Sequence, residues 1–232
     1  MMRIAVALAA ALALAGCAAG GQRGPDRGPA LKPIAEPGKV VATEIAFAQM
    51  AQEEGQWTAF AEYAADDGVM FVPEKVNAQD WLKKRPNPAQ SVAWQPHEVW
   101  SSCDGSIGVT RGAWQRPDGS VGWFTTVWHR QKDGEYRWVM DHGDAAAKPL
   151  AEPEMIEAHV AECPTQPWAP SEDLLEGVPG NGEFFGGASD DGTLRWGGRV
   201  DRWGGRIVTI DVWDGAEFQR VLHQTIAPPQ QP

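Results

Sequence analysis

The chain has 232 residues, with 31 acidic against 20 basic side chains and a formal net charge of −11 at neutral pH. That much negative charge, with no basic run to offset it, repels phosphate backbones, so nucleic acid is not an expected partner. It also argues against docking on anionic lipid by charge, so any attachment to a membrane has to come from elsewhere in the chain.

The chain opens with Arg3 and an apolar run, Ile4 to Ala15, ending in Leu14-Ala15-Gly16-Cys17. A helix over those twelve residues covers about 18 Å, short of the ~30 Å hydrocarbon core, so the run reads as a leader and not a membrane span. Small residues before a cysteine at this position predict a bacterial lipoprotein signal over residues 1–16 with Cys17 as the acylated thiol. An ordinary secretory leader cut near Ala19 is the alternative. Acyl chains on Cys17 supply stable membrane attachment. Ala18, where enteric bacteria commonly place an inner-membrane retention Asp, favours the outer membrane, with the folded part in the periplasm. In that oxidising compartment the remaining two cysteines, Cys103 and Cys163, are expected to bridge, the alternative being two free buried thiols.

Residues 17–40 read as a linker, with Pro25, Pro29, Pro33 and Pro37 recurring among Gly, Ala and charges without an apolar period. From Thr43 the apolar positions Phe47, Met50, Ala51, Trp57 and Ala61 take helical spacing, with Thr43 as N-cap and Glu44 in the first turn. This helix is expected to run to about Ala65. Val69 to Val72 is a short strand, and Asn77 caps a brief helix through Lys84. Residues 91–142 hold four Val-, Thr- and Trp-rich runs parted by Asp104-Gly105, Asp118-Gly119 and Asp133-Gly134, the pattern of an antiparallel meander. A helix is expected from Glu152 to Cys163. Three strands follow, Thr193–Val200, Arg206–Trp213 and Glu217–Ile226, forming a small sheet that has to pack on its neighbour. The predicted class is therefore α+β, with a domain over 41–146 and an extension of helix plus small β-meander over 147–228.

Helix, short strand, short helix and four-run meander, in that order, resemble the NTF2-like superfamily, including its SnoaL-like and DUF4440-type branches. The best local match is Thr126-Val127-Trp128-His129-Arg130, then Asp133-Gly134, Trp138-Val139 and Asp141-His142, which is similar to the last two strands of the calmodulin-dependent kinase II association domain. The resemblance covers about residues 42–145. It implies a cone of helices on a curved sheet, a pocket at the open end and dimerisation through the sheet, hence a homodimer. Some members are ketosteroid isomerases or polyketide cyclases and others only bind. The C-terminal meander resembles no named family.

Candidate site residues follow from strand alternation. Arg111, in Val109-Thr110-Arg111-Gly112, is similar to a pocket arginine of the kinase domain, and its guanidinium fork would suit a carboxylate. Trp57 and Trp81 on the covering helices are placed to line a cavity mouth, and His129 joins them as a ligand-binding candidate. His142 is a candidate pocket base with Asp141 as its neighbour, although adjacent strand residues point apart. Glu54, beside the apolar face of the first helix, is the other acid–base candidate. Asp141, His142 and Asp144 have no His or Cys partners at ligand spacing, so neither a metal nor a cofactor is expected. No phosphate loop and no nucleophile elbow is present. The leading expectation is non-catalytic binding of a small apolar or carboxylated ligand, or of a protein partner. A cofactor-free lyase or isomerase is the alternative, and a structural role in envelope assembly is a third.

Overall fold

The computed structural model describes residues 34–164 and 181–229. The leader, Cys17 and the linker up to residue 33 lie outside the described residues. Two helices come first, α1 (Pro37–Glu54) and α2 (Gln56–Tyr63), then β1 (Ala64–Phe71), β2 (Lys75–Asn77) and α3 (Ala78–Leu82). Four long strands follow, β3 (Ala93–Ser101), β4 (Ile107–Gln115), β5 (Val121–Arg130) and β6 (Tyr136–Ala146), and a short β7 (Glu157–Val160). After the undescribed stretch come β8 (Glu183–Ala188), β9 (Leu194–Val200), β10 (Arg206–Trp213) and β11 (Phe218–Ile226).

Helix α1 begins inside the stretch read as linker. Pro37 occupies its first turn, where a fixed φ and a missing N–H cost nothing. Thr43 is therefore an interior residue and not the N-cap; its hydroxyl donates to the Lys39 carbonyl at 2.9 Å. The single long helix expected from Thr43 to Ala65 is two helices, because Gly55 turns to φ +106 between them. At that break Asn87 acts as a cap borrowed from a distant loop. Its Oδ1 accepts from the backbone N–H groups of Trp57 (2.7 Å) and Thr58 (3.1 Å). Asn77 caps α3 as the spacing predicts, accepting from the Asp80 N–H at 2.9 Å.

The first sheet has seven strands in the order β2-β1-β6-β5-β4-β3-β7. β1 runs parallel to β6 and β7 parallel to β3, and the other neighbours are antiparallel. The expected helix from Glu152 is absent: those residues hold β7, whose Glu157–Val160 pairs with Glu98–Ser101 at the sheet edge. Helical composition was overridden there by an unpaired strand edge that the segment could complete. The second sheet is antiparallel, in the order β11-β10-β9-β8, four strands where three were expected, β8 being the addition. A disulfide joins Cys103, in the β3–β4 turn, to Cys163 after β7, with the Cα atoms 5.1 Å apart.

Two cores result. One lies between the helices and the concave face of the first sheet, around Phe47, Met70, Trp128 and Trp138. The other lies between the two sheets, around Val109, Val127, Met140, Leu194 and Ile210. Strands β4 to β6 are thus covered on both faces, which is why Thr125, Thr126, Val127 and Trp128 are buried without alternation. Among the described residues no helix is long and apolar enough to cross a membrane.

Candidate functional site

The helices do not seal the concave face. They leave a cavity of about 520 Å³, walled by Phe47 of α1, Trp57 and Phe60 of α2, Met70 and Phe71 of β1, Trp94 of β3, Trp114 of β4, Phe124 of β5 and Asp141 of β6. That volume suits a molecule of one to three rings. Arg116 stands at its rim, its guanidinium 4.7 Å from the Trp114 ring.

A polar row crosses the floor of this apolar cone. Thr110, Thr126 and Asp141 are register partners on β4, β5 and β6, so their side chains share the concave face. The Thr126 hydroxyl donates to Asp141 Oδ2 at 2.8 Å. Burial pushes the Asp141 carboxyl up to about 6, against the pull of that hydrogen bond and of the Arg206 charge. Above the row, α1 lowers Glu44, which is fully buried because it shares a face with Val40, Phe47 and Ala51. Its carboxylate accepts from Trp94 Nε1 at 2.7 Å, Thr110 Oγ1 at 2.6 Å and Trp128 Nε1 at 3.1 Å. Burial raises Glu44 to about 7 in spite of these three donors, and the negative Asp141 adds to the rise. Two carboxyl groups in this half of the chain therefore titrate near neutrality, one of them at the cavity wall.

The sequence-predicted candidates are distributed differently. Trp57 lines the cavity. Trp81 stands behind it, ring edge to ring face at 5.3 Å, with Arg85 over its own face. Arg111 lies on the strand face opposite Thr110, where Glu98 engages it at 3.0 Å, so it is no part of the cone. His129 shares that opposite face, one position past Trp128, and is likewise outside the cavity wall. Glu54 is exposed at the last turn of α1, because the helix phase is set from Pro37.

His142 borders the cavity, but both of its ring nitrogens are engaged between the sheets. Nε2 lies 2.8 Å from Gln224 Oε1 and Nδ1 receives Arg206 Nε at 3.4 Å, which assigns the proton to Nε2. Burial and the Arg206 charge push this imidazole down to about 3, so it stays neutral and cannot serve as the pocket base. Strict alternation along β6 would put Trp138 and Met140 on one face with His142. A bulge at Val139 puts Trp138 on the helix side and Met140 between the sheets. Arg206 also donates to the Gly143 carbonyl at 3.0 Å and stacks on Phe71 at 4.5 Å, so the second sheet braces the cavity wall from behind.

Glu44, Thr110, Thr126 and Arg206 escaped the sequence reading. Glu44 had a signal: with the helix begun at Pro37, it falls in line with Val40, Phe47 and Ala51. The others depend on register, which the sequence does not state.

The sequence matches no protein-family model and no curated protein. Among solved structures the chain is similar to a candidate ketosteroid isomerase from Parabacteroides distasonis, at 16% identity and TM-score 0.39 over 50% of this chain and 98% of that one. It is similar as well to ActVI-ORFA from Streptomyces coelicolor, at 15% identity and TM-score 0.34 over 47% and 95% of the two chains. A Catenulispora acidiphila protein in complex with S-DNPA matches at 13% identity and TM-score 0.36 over 47% and 91%. In this chain, strands β2-β1-β6-β5-β4-β3 curve under α1 and α2 to form an open cone. That cone is the arrangement which the sequence resemblance to the NTF2-like superfamily implies. The cone holds an aromatic wall, the Asp141 carboxyl at that wall and a second, fully buried acid, Glu44, behind it.

Proposed function

We propose that the NTF2-like cone binds one small, largely apolar ring-shaped molecule, and that Asp141 acts on it as the general base of a cofactor-free isomerisation or elimination. The observation that carries this reading is Asp141 itself: a carboxyl held by Thr126 at an aromatic cavity wall, with burial lifting it to about 6. A base with that acidity is largely ionised at neutral pH yet strong enough to accept a proton from carbon beside a carbonyl. The proton moves to an Asp141 oxygen, and the C–H electron pair becomes the C=C bond of an enolate as the carbonyl π pair moves to oxygen. Asp141, whose carboxyl proton exchanges with solvent, then returns a proton to carbon, or a leaving group departs with its bonding pair. Gln56, whose Oε1 accepts from the Val92 N–H, brings an amide to the same wall as a donor for that oxygen. The aromatic rings supply affinity and exclude water.

The test uses 2-tetralone, a two-ring ketone with acidic α-hydrogens. In D2O the protein is expected to accelerate deuterium incorporation at those carbons, followed by proton NMR, with the acceleration lost in Asp141→Asn. Quenching of tryptophan fluorescence by 2-naphthol, a non-reactive ring ligand, reports binding separately and is expected to weaken in Trp57→Ala. Binding by both proteins with no exchange above the Asp141→Asn level would remove the catalytic part of the proposal and leave a binding site.

The envelope address is a proposal on separate grounds. Leu14-Ala15-Gly16-Cys17 behind an Arg3-led apolar run supports acylation of Cys17, and hence a folded body held at the membrane by lipid.

A further inference from the structure

We infer that the second sheet, β8–β11, is a helix-free second copy of the β3–β6 meander, and that it takes the place of a partner subunit, so that the chain works as a monomer with a single cone.

The first turn is the same in both meanders. Ser102, Asp104, Gly105 and Ser106 between β3 and β4 correspond to Ser189, Asp191, Gly192 and Thr193 between β8 and β9. In both turns the aspartate Oδ1 accepts from the first Ser hydroxyl, and from both the hydroxyl and the N–H two residues on. The first Ser oxygen in turn receives the N–H of the residue that opens the next strand, Ile107 at 3.1 Å and Leu194 at 3.0 Å. The following turns match as well. Gly119 (φ +84) donates to the Arg116 carbonyl and Gly204 (φ +88) to the Asp201 carbonyl, each closing the same five-residue loop.

The register of the strands repeats as well. The end of β5 returns to the first turn through Arg130 N–H to the Ser106 carbonyl, and the end of β10 does so through Trp213 N–H to the Thr193 carbonyl, both at 2.8 Å. β6 has its bulge at Val139, where the pairing shifts between Val127 and Trp128. β11 has its bulge at Val221, where the pairing shifts between Ile210 and Asp211. Chance convergence on one hairpin turn is common, but two successive turns, a strand-end bond and a bulge in corresponding places are not.

The two meanders face each other as the halves of an isologous dimer do, equivalent residues meeting across the seam. His142 and Gln224 occupy corresponding positions, opposite Thr125 and Val208, and bond to each other at 2.8 Å. At the turns, the Asp104 N–H donates to Asp191 Oδ2 at 2.9 Å and the Asp190 N–H to Ser106 Oγ at 2.9 Å. The face that the NTF2-like resemblance assigns to dimerisation is therefore already covered.

The copy has lost the site. Where the cone carries the row Thr110, Thr126 and Asp141, the second sheet carries Gly197, Thr209 and His223 in the same register. No helix lies over that face among the described residues, and an Asp211–Arg220 ion pair stands where the cone has Trp128 and Trp138. What the copy contributes is Arg206, which braces Gly143 and Phe71 at the cavity wall.

Sedimentation equilibrium of the full chain, carrying Cys17→Ser to remove any lipid, is expected to return the mass of one chain from low micromolar concentration upward. A stable dimer over that range would overturn the inference. Asp104→Ala and Asp191→Ala, singly and together, test the twin turns. Each is expected to lower Tm by about 3 °C or more, by similar amounts, with the double variant losing less than the sum because the two turns hold each other. Strictly additive or grossly unequal losses would count against two equivalent halves.

Discussion

At the scale of single residues, Asp141 and Glu44 occupy positions that folding alone does not favour. Each carboxyl is desolvated inside an apolar layer, and each consequently keeps its proton to higher pH than an exposed acid does. An acid whose folded value stands above its unfolded value makes a favourable contribution that is complete below the unfolded value and is lost as pH rises through the folded one. For Asp141 that window runs from about 3.8 to about 6. Asp141→Asn keeps an oxygen for the Thr126 hydroxyl but carries no charge. Its Tm is therefore expected to exceed that of the unaltered protein at pH 8, with the difference shrinking as pH falls to 5, as thermal unfolding across that range would show. A difference that stays constant with pH would mean that Asp141 is not desolvated. Loss of exchange activity together with gain of stability is the combination expected of a group kept for chemistry. The sequence carried little of this. Asp141 was legible as a meander residue turned away from His142, but its partners come from two other strands and a helix. The apparent base, His142, is disqualified by burial beneath the other sheet and by the Arg206 charge, with Gln224 and Arg206 engaging its two ring nitrogens.

At the scale of elements, local patterning was read well where a segment depends on its own residues and poorly where it borrows from elsewhere. The strands β3 to β6 needed nothing beyond Val, Thr and Trp runs and Asp-Gly turns, whose glycines take positive φ at 105, 119 and 134. Helix α2 is the opposite case. Its start rests on Asn87, from a loop after α3, with Gly55 giving the room: a Cβ at Gly55 would lie 2.3 Å from the Asn87 Nδ2. Asn87→Ala leaves the Trp57 and Thr58 N–H groups to water and is expected to cost about 1 kcal/mol, measurable as a lower urea midpoint with an unchanged slope. Because α2 carries Trp57 and Phe60 into the cavity wall, the same variant is expected to weaken 2-naphthol quenching. An unchanged midpoint would mean that water replaces the cap without loss. The segment after Glu152 was misread for the same reason in reverse, since its partner, the β3 edge, lies far away in sequence.

At the scale of the whole molecule, one chain supplies both layers of a sandwich and one covered cone, with Cys103–Cys163 tying the β3–β4 turn to the strand that crosses toward the second sheet. The bridge closes a loop of 60 residues, of the size that restrains an unfolded chain by roughly 4 kcal/mol in the chain-entropy account. Such a bridge agrees with an oxidising compartment, which the proposed anchor at Cys17 would provide. Labelled palmitate is expected to enter the protein when it is produced in a bacterium, and Cys17→Ser to abolish the label and release the protein from the membrane fraction. Label retained in Cys17→Ser would rule out this anchor. By itself the sequence determined the α+β class, the order of the meander strands, the short capped helix at Asn77 and two cysteines in turn and end positions. These follow from periodicity, turn chemistry and caps, which act over a few residues. Tertiary structure decided which carboxyl meets the cavity, which cation stands behind it and what covers the outer face of the sheet. Those outcomes depend on register between strands and on contacts between residues some eighty positions apart, for which local pattern carries no signal.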